Sequence, residues 1–261
     1  MGFLRELDSG TFSHLLWPYS SGVGERSDDA TGVEPAIVGN NRHRLAKFVG
    51  VIGELLVTVG VVLLLFSAYQ LWWTNVIAAG HTSVAREQAK EYIASSTPKP
   101  LNSAFPKGDA FALMYIPRLK PSVWALPILQ GVDLETLTKG LGHYPETAMP
   151  GEVGNFALAG HRATNGEPLA NFDQLRAGDK VYVQTPTAWY TYELKVDQIV
   201  SPTAYWVIKP NPIPEAHLPS DRIITLTTCN PRWASYERWA FWGVLTSVRP
   251  RQDGPPPELE L

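Results

Sequence analysis

Residues 48–73 constrain this chain more than any other stretch. From Phe48 to Trp73 the sequence is almost continuously apolar, and a helix over that run exceeds the roughly 20 residues needed to cross a bilayer. Glu54 is the one charge within it. It lies near the first end, where water or headgroups reach it. Tyr69, Trp72 and Trp73 form an aromatic belt at the far end. The cationic residues Arg42, Arg44 and Lys47 precede the run, which puts the N-terminus in the cytoplasm and everything after residue 73 outside. A cleaved signal peptide competes with this reading, but signal cores are shorter and lie nearer the N-terminus. No second apolar span follows, so a single crossing is expected.

The flanking segments differ in character. Residues 1–47 read as a disordered cytoplasmic tail, rich in Gly, Ser and Asp before the basic cluster. Residues 74–107 read as a stalk: a polar, exposed helix around residues 84–92, then a spacer carrying Pro98, Pro100 and Pro106. From residue 108 the pattern changes to short strands separated by turn signals. Strands are expected at 111–116, 123–126, 156–159, 180–184, 189–200, 204–208, 223–228 and 239–248. A helical turn is expected at 132–137 and a loop at 140–150. Eight or so strands at this spacing predict a closed antiparallel β-barrel over residues 108–249. Residues 250–261 read as a disordered tail.

The formal net charge is −3, and no long basic patch follows the membrane run, so a nucleic-acid binder is excluded. One cysteine, Cys229, rules out an intramolecular disulfide. A free cysteine is most often a small core residue, but the context here points elsewhere. The run 223–228 is β-branched apart from Leu226 and stops at Asn230-Pro231, so Cys229 sits at the rim of a sheet. Arg238 opens the next apolar run, and an antiparallel return would set it beside Cys229. The short run 155–159 ends in Gly160-His161, which puts His161 at a strand end as well. A lone Cys with a strand-end His and a strand-end Arg forms a thiol-acylation constellation.

At these residues the chain resembles a family. Thr225-Leu226-Thr227-Thr228-Cys229 with a downstream Arg, preceded by Ala159-Gly160-His161-Arg162, is similar to the sortases, membrane-anchored cysteine transpeptidases of Gram-positive bacteria. The Leu-Thr-Thr-Cys-x-Pro form, together with Gly140-Leu141-Gly142-His143-Tyr144, resembles class E. Two departures spare the matched positions: Asn171-Phe172 stands where Pro-Phe is more usual, and Ala234-Ser235 where Ser-Ala is commoner.

The resemblance implies the eight-stranded sortase barrel and three roles. Cys229 would attack a peptide carbonyl. Arg238, whose fork of donors stays charged, would bind the oxyanion, with a further donor from the Thr228 backbone or hydroxyl. His161 would protonate the leaving amine and later deprotonate the incoming one. Arg232 is the rival for the oxyanion role. His143 and Tyr144 are candidate groove residues, Tyr144 foremost, and His217 reads as structural. No carboxylate cluster suggests a metal, and no cofactor is expected.

The implied partners are secreted proteins bearing a C-terminal sorting signal, Leu-Ala-x-Thr-Gly or Leu-Pro-x-Thr-Gly in type, cut between Thr and Gly, and a peptidoglycan-precursor amine that resolves the acyl-enzyme. The implied location is the cell membrane, single-pass, with the catalytic domain extracellular. A pilus-polymerising sortase is one alternative, but the Asp-Pro-aromatic lid and second hydrophobic tail such enzymes often carry are not visible. An inert barrel that captures signal peptides is another, and the intact Cys229, His161 and Arg238 count against it. A wall L,D-transpeptidase would need a Ser/Thr-x-Gly-Cys context that the sequence does not have.

Overall fold

The computed structural model describes residues 40–102, 105–212 and 221–259; the tail expected at residues 1–47 lies outside them as far as residue 39, as does His217. Helix α1 (Asn40–Ala68) starts ahead of the expected residue 48 and takes in the basic cluster. Its stretch Arg42–Ala68 is long and apolar enough to cross a membrane, and its apolar side chains are exposed. A short π-helical stretch, Tyr69–Trp73, separates it from α2 (Thr74–Ala94).

The helix expected to be exposed around residues 84–92 instead buries one face within α2. Ala85, Ala89 and Ile93 recur at helical spacing and are buried in one cluster with Ala110, Leu113 and Tyr115 of the first strand and Leu129 of the second. Alanine stripes carry little hydropathy, so the sequence reads as polar. Yet small side chains let a helix lie close against a sheet, and the guanidinium Nε of Arg86 donates to the Ala125 carbonyl at 2.8 Å to fix it there.

The barrel closes in the order β1-β2-β3-β4-β7-β8-β6-β5. Its strands are β1 (Ala110–Tyr115), β2 (Leu126–Gln130), β3 (Leu141–His143), β4 (Gly154–Ala159), β5 (Lys180–Gln184), β6 (Ala188–Val200), β7 (Arg222–Asn230) and β8 (Glu237–Pro250). It is not wholly antiparallel as expected: β2 pairs with β3, and β4 with β7, in parallel. Phe111, Met114, Ile128, Phe156, Leu158, Ile224, Leu226 and Phe241 fill its interior. A helical turn, α3 (Leu134–Leu137), is capped by Asp133, whose carboxylate accepts from the Thr136 amide.

Four further expectations differ from the structure. The strand placed at 123–126 lies at β2, because Pro127 sits inside the strand and reads as a breaker. The loop placed at 140–150 contains β3. Gly142 reads as a turn signal, but a Cβ there would lie 2.3 Å from the Gly131 carbonyl oxygen, so the glycine serves a close backbone approach. The strand placed at 204–208 is a 3₁₀ turn, Tyr205–Ile208. Periodicity cannot separate strand from helix over so few residues, and here Trp206 stacks on Trp242, with ring centres 5.9 Å apart, instead of joining a ladder. Residues 250–259, expected to be disordered, fold back: Arg249 donates to the carbonyls of Asp253 and Gly254, and Leu259 is buried in the α2 cluster.

Candidate active site

Side chains on a strand alternate between faces, and β7 keeps that alternation. Ile224 and Leu226 enter the main core, whereas Ile223 joins Ala240 and Trp242 in a separate cluster on the opposite face. Cys229 shares the face of Ile223. It is half-buried and lies directly opposite Arg238 in the β7–β8 ladder. On the other side, β4 runs parallel to β7 as far as the pair Ala159 and Thr227. The two chains stay together for one more step, because the Gly160 amide donates to the Thr227 carbonyl at 3.1 Å and the Thr228 hydroxyl donates to the Gly160 carbonyl at 2.8 Å. His161 follows β4 by two residues, so the β4–β7 register, carried past its last pair, leads to the level of Cys229, and Arg238 faces Cys229 across β7 and β8.

The His161 ring is partly enclosed, and that burial lowers its pKa below the ordinary histidine value. The neutral imidazole is thereby favoured, the form that can take a proton from a thiol. The Asn165 amide nitrogen lies 3.5 Å from its Nε2. The Arg238 guanidinium donates through Nη1 to the carbonyls of Ser235 and Glu237, at 3.1 and 2.9 Å. Its Nε and Nη2 make no hydrogen bond to the described residues, so two donors remain for a ligand. Arg232 is committed elsewhere: Nη2 pairs with Glu167 at 2.7 Å, and its guanidinium lies over the Trp233 ring.

The other expected residues divide. Tyr144 lies on the same outer face, its amide donating to the Ala157 carbonyl and its hydroxyl 3.3 Å from that of Thr227. Its side chain thus lies beside Thr227, two residues before Cys229 on the same face of β7. The Thr228 hydroxyl does not suit the expected substrate contact. It is buried on the interior face opposite Trp239 and is bound to Gly160, so it fastens the two site strands together. His143 does not suit a groove contact either. It is fully buried between Phe111 and Phe156, with Nδ1 on Gln130 and Nε2 on the Ala148 carbonyl, and desolvation pushes its pKa down to about 4.

Sequence reasoning quoted Arg162 but gave it no role. Alternation turns it to the opposite face from His161, and it is buried there. Nη1 donates to the Asn230 side chain at 2.7 Å and reaches the Cys229 carbonyl at 3.5 Å, Nη2 pairs with Asp173, and the guanidinium lies over the Trp239 ring. It clamps the backbone on which the thiol stands. The available signal was a cation at an inward-facing position, since a buried charge is tolerated only when it is paired.

The sortase-domain family profile matches residues 114–246. Sortase SrtE1 of Streptomyces coelicolor is 39% identical over 216 residues, covering 80% of this chain and 60% of that protein's length. The structure of sortase E from Streptomyces avermitilis shares 42% identity at a TM-score of 0.55, over 60% of this chain and all of that one. The crystal structure of sortase E1 from S. coelicolor with a tripeptide in the active site shares 35% identity at a TM-score of 0.53, over 59% of this chain and 98% of that one. Barrel, topology and family match together show that the chain belongs to the sortase family of cysteine transpeptidases and, within it, to class E.

Proposed function

We propose that this protein is a membrane-anchored transpeptidase. It cleaves a C-terminal sorting signal between Thr and Gly through a thioacyl-enzyme on Cys229 and passes the acyl group to an amine of a cell-wall precursor. The observation that carries the reading is the direct pairing of Cys229 with Arg238 across β7 and β8, and it is supported by the position of His161 two residues past the end of β4, the strand paired with β7. The thiol sulfur forms a bond to the Thr carbonyl carbon, and its proton passes to His161. Arg238 holds the oxyanion. Collapse breaks the C–N bond, and His161 returns the proton to the departing Gly amine. An incoming amine reverses the sequence: it loses a proton to His161, attacks the thioester and releases the thiol. The enclosed, neutral state of His161 suits it to carry one proton each way.

The peptide passes Tyr144 on its way to Cys229, with a signal of the Leu-Ala-x-Thr-Gly type preferred. The tripeptide held in the active site of the S. coelicolor enzyme supports a peptide occupant. Purified protein incubated with Leu-Ala-x-Thr-Gly and Leu-Pro-x-Thr-Gly peptides is expected to release the Gly fragment, faster from the first, and to show the acyl adduct on Cys229 by intact mass. Equal inertness toward both peptides would refute the reading.

Helix α1 anchors the enzyme with Arg42, Arg44 and Lys47 on the cytoplasmic side and the barrel outside. Protease added to intact protoplasts is expected to remove the barrel. A protected barrel would reverse the orientation.

A further inference from the structure

Three consecutive residues just past His161 have positive φ: Asn165 at 52°, Gly166 at 80° and Glu167 at 37°. Glycine takes this conformation freely, but other residues resist it and persist there only when neighbours hold them. The holder is the first turn of α2. The Gly166 amide donates to the Asn75 side-chain oxygen at 2.9 Å, and the Asn75 amide nitrogen donates to Glu167 Oε1 at 3.2 Å. The second carboxylate oxygen of Glu167 takes the Arg232 guanidinium at 2.7 Å, from the turn between Cys229 and Arg238. Ala78 is buried at this contact, and a methyl group placed on Gly166 would touch its Cβ at 3.4 Å. One half-buried asparagine thus ties α2 to the loop carrying Asn165 to the His161 ring and, through Glu167, to the loop that follows the nucleophile.

We propose that Asn75 is a positioning residue for catalysis: it holds the loop at residues 164–168 in its strained form and so keeps the His161 ring level with Cys229. The helix that follows α1 in the chain is then part of the catalytic framework rather than a spacer. This inference rests on the reading of His161 as the acid–base residue.

The test uses the full-length chain in detergent micelles. Asn75→Ala is expected to lower kcat for a Leu-Ala-x-Thr-Gly peptide about tenfold, a fraction of the roughly hundredfold that a misplacement of about 1 Å can cost. KM and thermal midpoint should stay close to those of the parent. The His161 ring, less enclosed, should titrate at higher pH. That shift is read by NMR on carbon-13-labelled imidazoles, with the His161 signal identified by its loss in His161→Gln. Glu167→Gln keeps an acceptor for Asn75 and should retain most of the turnover, whereas Glu167→Ala should fall with Asn75→Ala. Parental kcat and His161 titration in Asn75→Ala would overturn the proposal. So would a loss of turnover that merely follows a lowered thermal midpoint. Full activity in His161→Gln, with Asn75 intact, would instead overturn the underlying role of His161.

Discussion

Replacement of Cys229 by alanine is expected to abolish both cleavage and acyl-adduct formation while leaving the barrel folded. Without the sulfur no thioacyl bond can form, and neither His161 nor Arg238 can supply a nucleophile in its place. Loss of the nucleophile in a well-studied protease lowers turnover by about 10⁶-fold, and a comparable collapse, below detection in a peptide assay, is expected here. The structural cost should be small. Cys229 is half-buried at the last paired positions of β7, so removing one sulfur leaves a minor packing defect of about 1 kcal/mol or less. Because Tyr144 and Arg238 are untouched, the variant should still bind peptide, which a fluorescent Leu-Ala-x-Thr-Gly probe would read. Cleavage at the parental rate would remove Cys229 from the mechanism.

The second large effect concerns Arg238. Its charge can be kept by lysine, yet Arg238→Lys is expected to lose nearly as much turnover as Arg238→Ala. Arginine presents a planar fork, two of whose nitrogens make no hydrogen bond to the described residues, whereas lysine carries a compact ammonium on a flexible stem. An oxyanion exists only once the carbonyl becomes tetrahedral, so the loss should fall on kcat rather than KM. Removal of one oxyanion donor costs roughly 3–4 kcal/mol in a serine protease, or about 10²–10³ in rate. Arg232→Ala provides the comparison. Its guanidinium is tied to Glu167 and stacked on Trp233, so its loss should disturb the neighbouring loop and lower kcat by no more than about tenfold, as a mispositioned rather than missing group would. Near-normal turnover in Arg238→Lys, or a deeper loss in Arg232→Ala, would reassign the oxyanion role.

The elements that were legible in the sequence are those whose signal is local. The β-branched run before Cys229 and the Asn230-Pro231 stop place the thiol at a strand end, and the return at Arg238 follows from the length of the turn between them. The apolar run of α1 is equally plain, since nothing but length and hydropathy decides it. What was not legible depends on distant partners. Leu141–His143 looks like a loop because Gly142 answers to the Gly131 carbonyl rather than to a turn. The alanine stripe of α2 means nothing until β1 and β2 lie under it. Thr228 looked like a substrate donor because the motif places it next to the thiol, while the pleat turns its hydroxyl inward to Gly160. Arg162 and Asn75 escaped notice for the same reason: their partners, Asn230 and Glu167, are remote in the sequence.

The parallel pairing of β4 with β7 has a consequence for the order in which the protein becomes active. The two strands are neighbours in the barrel, but β5 and β6 lie between them in the chain. Closing a long loop before its contacts are rewarded is slow, and such pairings belong to the late part of folding. The β7–β8 hairpin, by contrast, is local, so Cys229 and Arg238 can meet early. A chain with that hairpin formed and the barrel still open carries a thiol and its arginine but no histidine. On the proposed role of His161, catalytic competence waits for the β4–β7 pairing, and a lesion that loosens that seam is expected to lower turnover without altering a reacting group.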